Sequence, residues 1–134
     1  MKCIRASQIK QTVLEHFLQN NLQIQKASLL KRGYVVEHKG KIIGCFELDV
    51  MEEAVYWLRQ LYIIQSEAAK LPMLLEYILI FAKQKNATSI YAHSEQPVTD
   101  LLLQSLQFSL QTEKIDTLEK RDLKKGNWWT YKVS

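Results

Sequence analysis

Hydrophobic positions along the chain change period several times, and each change marks an element. Lys2 to Ala6 is short and suits a first strand. Ser7 is placed to cap a helix in which Ile9, Val13, Leu14, Phe17 and Leu18 recur on one face. Asn20-Asn21 closes that helix, and Leu22 to Leu30 carries only a weak helical period. Gly33 to His38 is β-branched and aromatic, Lys39-Gly40 is a turn, and Lys41 to Val50 returns as a strand with Ile43, Cys45 and Phe46 near the core. Met51-Glu52-Glu53 is a second turn. Ala54 to Ile64 alternates as a long strand, with Val55, Trp57, Arg59, Leu61 and Ile63 on one face and Tyr56, Leu58, Gln60 and Tyr62 on the other.

After a connection over Gln65 to Lys70 the period becomes helical. A helix starts at Leu71 or Pro72, where a missing N–H does no harm, and Asn86 ends it. Thr88 to Ala92 is a short buried strand, so strand, helix and strand form a right-handed crossover. Pro97 opens another helix with Leu101, Leu102 and Leu106 as its apolar side. Phe108 to Ile115 is a strand, Glu119 to Lys125 a solvated loop of mixed charge, and Asn127 to Val133 an aromatic closing strand. The predicted class is α+β. A mixed, mostly antiparallel sheet of about six to seven strands is flanked by three to four helices, in one domain over residues 1–134.

Composition narrows the function more than it names it. The 134 residues are 47% hydrophobic and 24% charged, the balance of a soluble globular chain. The net charge of +4 is mild, and the one dense charged segment mixes signs. No basic face with interleaved aromatics points to nucleic acid. The apolar stretch from Leu71 is too short for a bilayer, which needs roughly 20 apolar residues. The opening Met1-Lys2-Cys3-Ile4-Arg5 is too short and too charged for a signal peptide. With no secretory signal, Cys3 and Cys45 are expected as reduced thiols in a cytoplasmic protein. No spacing of Cys, His or carboxylates suggests a metal site.

Three stretches resemble the GNAT N-acetyltransferase superfamily, and together with the element order they cover nearly the whole chain. Gly33-Tyr-Val-Val-Glu-His-Lys-Gly-Lys-Ile-Ile-Gly-Cys-Phe is similar to the family's hairpin. Leu61-Tyr-Ile, followed by a loop, a helix ending Phe81-Ala82-Lys83-Gln84-Lys85-Asn86 and the strand Ser89-Ile90-Tyr91, is similar to its cofactor-binding crossover. Leu102-Leu103-Gln104-Ser105-Leu106-Gln107-Phe108 is similar to the segment that ends in Gly-Phe in relatives. The hairpin and terminal strands look most similar to amino-acid N-acetyltransferase domains such as that of N-acetylglutamate synthase.

The resemblance implies acetyl-CoA as cofactor, with its pyrophosphate at the start of the helix after the fourth strand. The family pattern [RQ]-x-x-G-x-[GA] falls on Ser66-Glu67-Ala68-Ala69-Lys70-Leu71, which has no glycine and no leading Arg or Gln. Ser66, Ala68, Ala69 and Lys70 are the expected phosphate-side residues. The backbone donors toward the thioester fall at Leu61 and Ile63. The tyrosine that is the acid in many relatives is Leu103 here, its glycine is Gln107, and a glutamate base found in some relatives is Trp57.

For the proton acceptor the remaining candidate is His93, because histidine exchanges its proton near neutral pH; it is equally a surface histidine. His16 and His38 suit solvated positions. Glu47 and Asp49 share a strand face, where they bind a substrate amine or form a hairpin's polar face. Tyr56 and Tyr62 line an acceptor pocket or pack at its rim. Trp128 and Trp129 point to opposite faces of one strand. The reading implied is an acetyl-CoA-dependent N-acyltransferase acting on a small-molecule amine, as a monomer or homodimer, with Glu47 and Tyr56 at the substrate. The alternative is a non-catalytic GNAT-like binding or regulatory domain, and a third is an unrelated small α+β protein.

Overall fold

A computed structural model of the chain describes residues 1–111 and 126–133. Seven strands lie in the order β1-β2-β3-β4-β5-β7-β6. They are β1 (Lys2–Arg5), β2 (Gly33–His38), β3 (Lys41–Glu52), β4 (Val55–Ile63), β5 (Ser89–Ser94), β6 (Ser109–Leu110) and β7 (Asn127–Lys132). The helices are α1 (Gln11–Gln19), α2 (Lys26–Arg32), α3 (Leu71–Gln84) and α4 (Pro97–Ser105). β1 with β2, β2 with β3, β5 with β7 and β6 with β7 are antiparallel, while β4 and β5 are parallel. The sheet is therefore mixed and mostly antiparallel, as the periodicity predicts. Among the described residues no helix is long and apolar enough to cross a membrane, and no disulfide joins Cys3 and Cys45.

The chain divides into two compact units, and the boundary runs through β4 and α3. The first is Met1–Asp49 with Arg59–Leu74; the second is Val50–Leu58 with Leu75–Ser134.

In the first unit Leu14, Phe17 and Leu18 of α1 and Leu29 of α2 close over Val35 and Cys45. β3 is buried continuously from Ile43 to Asp49, carrying two carboxylates into the interior. The β2–β3 connection is a two-residue turn with φ of +53° at Lys39 and +77° at Gly40, the backbone a tight hairpin needs. At Gly44 a Cβ would sit 2.3 Å from the Tyr62 carbonyl oxygen, so only glycine permits this approach.

In the second unit Trp57 packs on Trp128 at 5.3 Å and Phe108 on Tyr131 at 5.3 Å between ring centroids. α3 and α4 stop in the same way. Asn86 takes φ +64° and Gln107 takes φ +72°, and the next amides reach back, Ala87 to the Ala82 carbonyl and Phe108 to that of Leu103, both at 3.0 Å. This is the left-handed helix stop, here without glycine.

Several local expectations are corrected. Ser7 caps nothing: it lies in a 3₁₀ turn over Ala6–Gln8 that buries Ala6, and α1 starts only after Lys10. Val13 is 45% exposed while Leu14, Phe17 and Leu18 are buried. β3 runs through Glu52, and the turn is Glu53-Ala54 with Ala54 at φ +62°. On α4 the buried leucine is Leu103, and Leu101 is 66% exposed; three successive leucines carry no helical phase of their own. Residues 112–115 of the expected sixth strand and the charged segment Glu119 to Lys125 lie outside the described residues.

Candidate functional site

The first unit holds the second half of β4, from Arg59 to Ile63. The pairing of β4 with β5 runs from Val55↔Ser89 to Leu58↔Ala92, and β4 continues from there to Ile63. Inside that continuation Gln60 takes φ +46°. A left-handed residue with a Cβ costs roughly 1–2 kcal/mol, so something must hold it. Its side-chain amide is clamped to the backbone of Gln25: Gln25 N donates to Oε1 at 2.8 Å, and Nε2 donates to the Gln25 carbonyl at 3.2 Å. Nε2 also donates to Glu47 Oε2. From the other side, the Cys45 thiol lies 3.6 Å from the Gln60 carbonyl oxygen. Burial, reinforced by Glu47, pushes that thiol up to about 12, so it remains a protonated donor.

The kink breaks the alternation that the sequence predicts across Ala54 to Ile64. Beyond it, Ile64 N donates to the Ile43 carbonyl at 2.8 Å. Strand N–H groups alternate between edges, so the Ile63 N–H, and with it that of Leu61, points to the edge away from β3. These are the two donors expected from the sequence.

The residues expected on the phosphate side follow directly. Gln65–Lys70 is a 3₁₀ turn leading into α3. Glu67 N donates to the Ile64 carbonyl at 2.9 Å, and Leu71 N to that of Ala68. Ser66, Ala68 and Ala69 are exposed, and Lys70 is half-buried in an ion pair with Glu67. That hydrogen bond from Lys70 is the first cause holding the Glu67 carboxyl below its ordinary range, with the Lys70, Lys41 and His38 charges adding to it.

Glu47, expected at a substrate, is fully buried. Besides Gln60 it accepts from Ser28 Oγ at 2.7 Å and pairs with Arg32 Nε at 3.4 Å. Asp49 pairs with Arg32 at 3.7 Å and Arg59 at 3.4 Å. The two carboxylates thus face inward, into a network of polar side chains.

A groove of about 620 Å³ opens beside β4 in the same unit. Phe17 and Tyr62 form its aromatic wall, edge to face at 6.4 Å, and the Tyr62 hydroxyl donates to the buried amide of Asn21. His16 and Lys41 are its basic side chains, and among the described residues no carboxylate lines it. The sequence offered Tyr62 alone as a pocket residue. The groove joins α1, the hairpin turn and the end of β4, which no local pattern brings together.

His93 and Tyr56 belong to the second unit. His93 stands half-exposed on β5, its ring 4.9 Å from that of Trp128. Asp100 accepts from Trp129 Nε1 at 2.8 Å and Asn127 Nδ2 at 3.2 Å. The Trp129 bond is the first cause holding the Asp100 carboxyl low, with Ser94, Asn127 and the His93 charge contributing. Tyr56 is half-buried opposite Ile90. Leu103 and Trp57, which the resemblance in the sequence sets against an acid and a base position, are 3% and 6% exposed.

Solved structures place this fold. The N-acetylglutamate synthase of Neisseria gonorrhoeae, complexed with coenzyme A and N-acetyl-glutamate, superposes with a TM-score of 0.69 at 14% identity over 99% of this chain, which spans 35% of that protein. The Campylobacter jejuni N-acetyltransferase PseH matches with a TM-score of 0.70 at 15% identity over 99% of this chain and 98% of its own; PseH is also known in complex with acetyl coenzyme A. A GNAT-family acetyltransferase of Staphylococcus aureus Mu50 matches at 0.63 and 11% identity, covering 99% of both chains. No protein-family model matches the sequence, and no curated protein does. The chain has the GNAT N-acetyltransferase fold.

Proposed function

We propose that this chain is an N-acyltransferase that uses acetyl-CoA and passes the acetyl group to a small-molecule amine. One observation carries the reading: the kinked half of β4, whose Leu61 and Ile63 amides point away from β3 beyond the last parallel pair with β5. Fixed backbone donors aimed at a carbonyl oxygen stabilise the charge that develops there during acyl transfer. The fold, shared with acetyltransferases of low identity, supports the same class.

The donor set fits acetyl-CoA at the thioester end. At the phosphate end the fit rests on Lys70, the Ser66 hydroxyl and the turn at Ala68-Ala69 before α3. There Glu67 competes with phosphate for the Lys70 ammonium. When bound, acetyl-CoA supplies an activated acyl group and a thiol leaving group. The groove beside Tyr62 seats the acceptor's apolar body against Phe17, and Lys41 and His16 suit an anionic substituent on it. His93 is proposed as the proton acceptor and Tyr56 as an acceptor contact.

Incubation with acetyl-CoA and a panel of amines, half of them carrying a carboxylate, tests the proposal. Amine-dependent release of the free thiol together with an acetylated product is the expected result. The second reading, a binding domain without catalysis, is favoured by the buried Leu103 and Trp57 and by the Glu67–Lys70 pair. It predicts acetyl-CoA binding with no product from any amine.

A further inference from the structure

The two carboxylates of β3 are buried and heavily engaged by other side chains of the first unit. Their partners share one feature: they surround the kink of β4. Glu47 binds the Gln60 side chain from within, and Ser28 and Arg32 of α2 hold Glu47 in place. Asp49 binds Arg59, the residue before the kink, and shares Arg32. Gln25, just ahead of α2, closes the Gln60 amide from outside with two hydrogen bonds. A glutamine has one carbonyl oxygen and one NH₂ group to satisfy, and both are used here. No local sequence preference puts glutamine at φ +46°; these contacts do.

We propose that Glu47 is a positioning residue: acting through Gln60 and anchored by α2, it holds β4 in the left-handed kink that sets the direction of the Leu61 and Ile63 amides. The inference rests on the acyltransferase reading for its consequence, and on the geometry alone for the kink. A buried carboxyl group is retained at a cost unless its partners compensate, and here the partners lie on the loop, helix and strand that must be kept in register. Cys45 supports the same point from the main chain, since its protonated thiol meets the carbonyl of the kinked residue.

The test compares wild type with Glu47→Ala and Gln60→Ala. Two readouts are taken: the intraresidue HN–Hα nuclear Overhauser effect of residue 60, which is strong in left-handed backbone, and the ratio of CoA to acetyl-CoA dissociation constants. In wild type the effect is strong and acetyl-CoA binds more tightly than CoA. In Glu47→Ala the effect weakens and the ratio falls to about one, while CoA affinity stays within about twofold, because only the interaction with the acyl carbonyl is lost. Gln60→Ala removes the clamp and keeps a Cβ that disfavours positive φ, so it loses the acyl preference in the same way. It decides the matter if Glu47→Ala does not fold.

A folded Glu47→Ala protein that keeps the strong effect, or a Gln60→Ala protein that keeps the wild-type ratio, overturns the proposal. A uniform loss of affinity for both ligands also overturns it, since that marks a merely structural role. If wild type binds neither ligand, the acyltransferase reading fails, and the Overhauser effect in Glu47→Ala still decides whether Glu47 holds the kink.

Discussion

The two halves of β4 are built by different rules. From Val55 to Leu58 the strand is regular, parallel to β5, and held by main-chain pairing and by Trp57 packed on Trp128. From Arg59 to Ile63 it turns through a left-handed residue and is held by side chains: two buried carboxylates, a glutamine amide and a thiol. The first half needs only alternation and bulk. The second needs particular functional groups in particular places, and it is there that the amides proposed to receive the acyl carbonyl lie. Strain of this kind persists only where surrounding contacts over-determine it.

The contrast can be broken from either side. Trp57→Ala strikes the regular half, emptying a site that is 6% exposed. Deleting a buried aromatic costs about 3–5 kcal/mol, read as a lower midpoint of chemical denaturation. The residue 60 Overhauser effect is expected to stay at its wild-type strength in the folded protein. If the kink relaxes with Trp57, the halves are not independent.

Gly44→Ala strikes the kinked half instead. Its Cβ would meet the Tyr62 carbonyl oxygen at 2.3 Å and Ile63 Cα at 3.3 Å, both backbone atoms that yield only by moving β4. Overpacking of this kind costs about 1–3 kcal/mol. Although it costs less stability than Trp57→Ala, the change is expected to reduce acetyl-CoA binding more. The reverse order, measured by calorimetry on both variants, would place the ligand site elsewhere.

The same division explains what could be read from the sequence. The hairpin at Lys39-Gly40, the helix stop at Asn86 and the proline start of α4 are local devices, each written in two or three adjacent residues. The order of elements along the chain followed from period and length, and the expectation of donors at Leu61 and Ile63 came from a resemblance that concerns backbone, to which side-chain identity is nearly irrelevant. The kink was not legible. Its partners stand 13 and 35 positions from Gln60, and nothing in the segment Arg59-Gln60-Leu61 departs from strand alternation. Glu47 and Asp49 were placed on one face correctly. That face proved interior because α2, weakly marked in the sequence, brings Ser28 and Arg32 against them. Ser7 had the chemistry of a cap but not the position, since burying Ala6 takes a 3₁₀ turn first.

Whether the Leu61 and Ile63 amides receive the acyl carbonyl, as proposed, is decided by titrating the isotope-labelled protein with acetyl-CoA and following amide chemical shifts. Leu61 and Ile63 are expected to shift strongly with acetyl-CoA and less with CoA, while amides of the regular half from Val55 to Leu58 move little. Saturation by acetyl-CoA without a shift at either amide, or equal shifts with both ligands, would contradict the proposal.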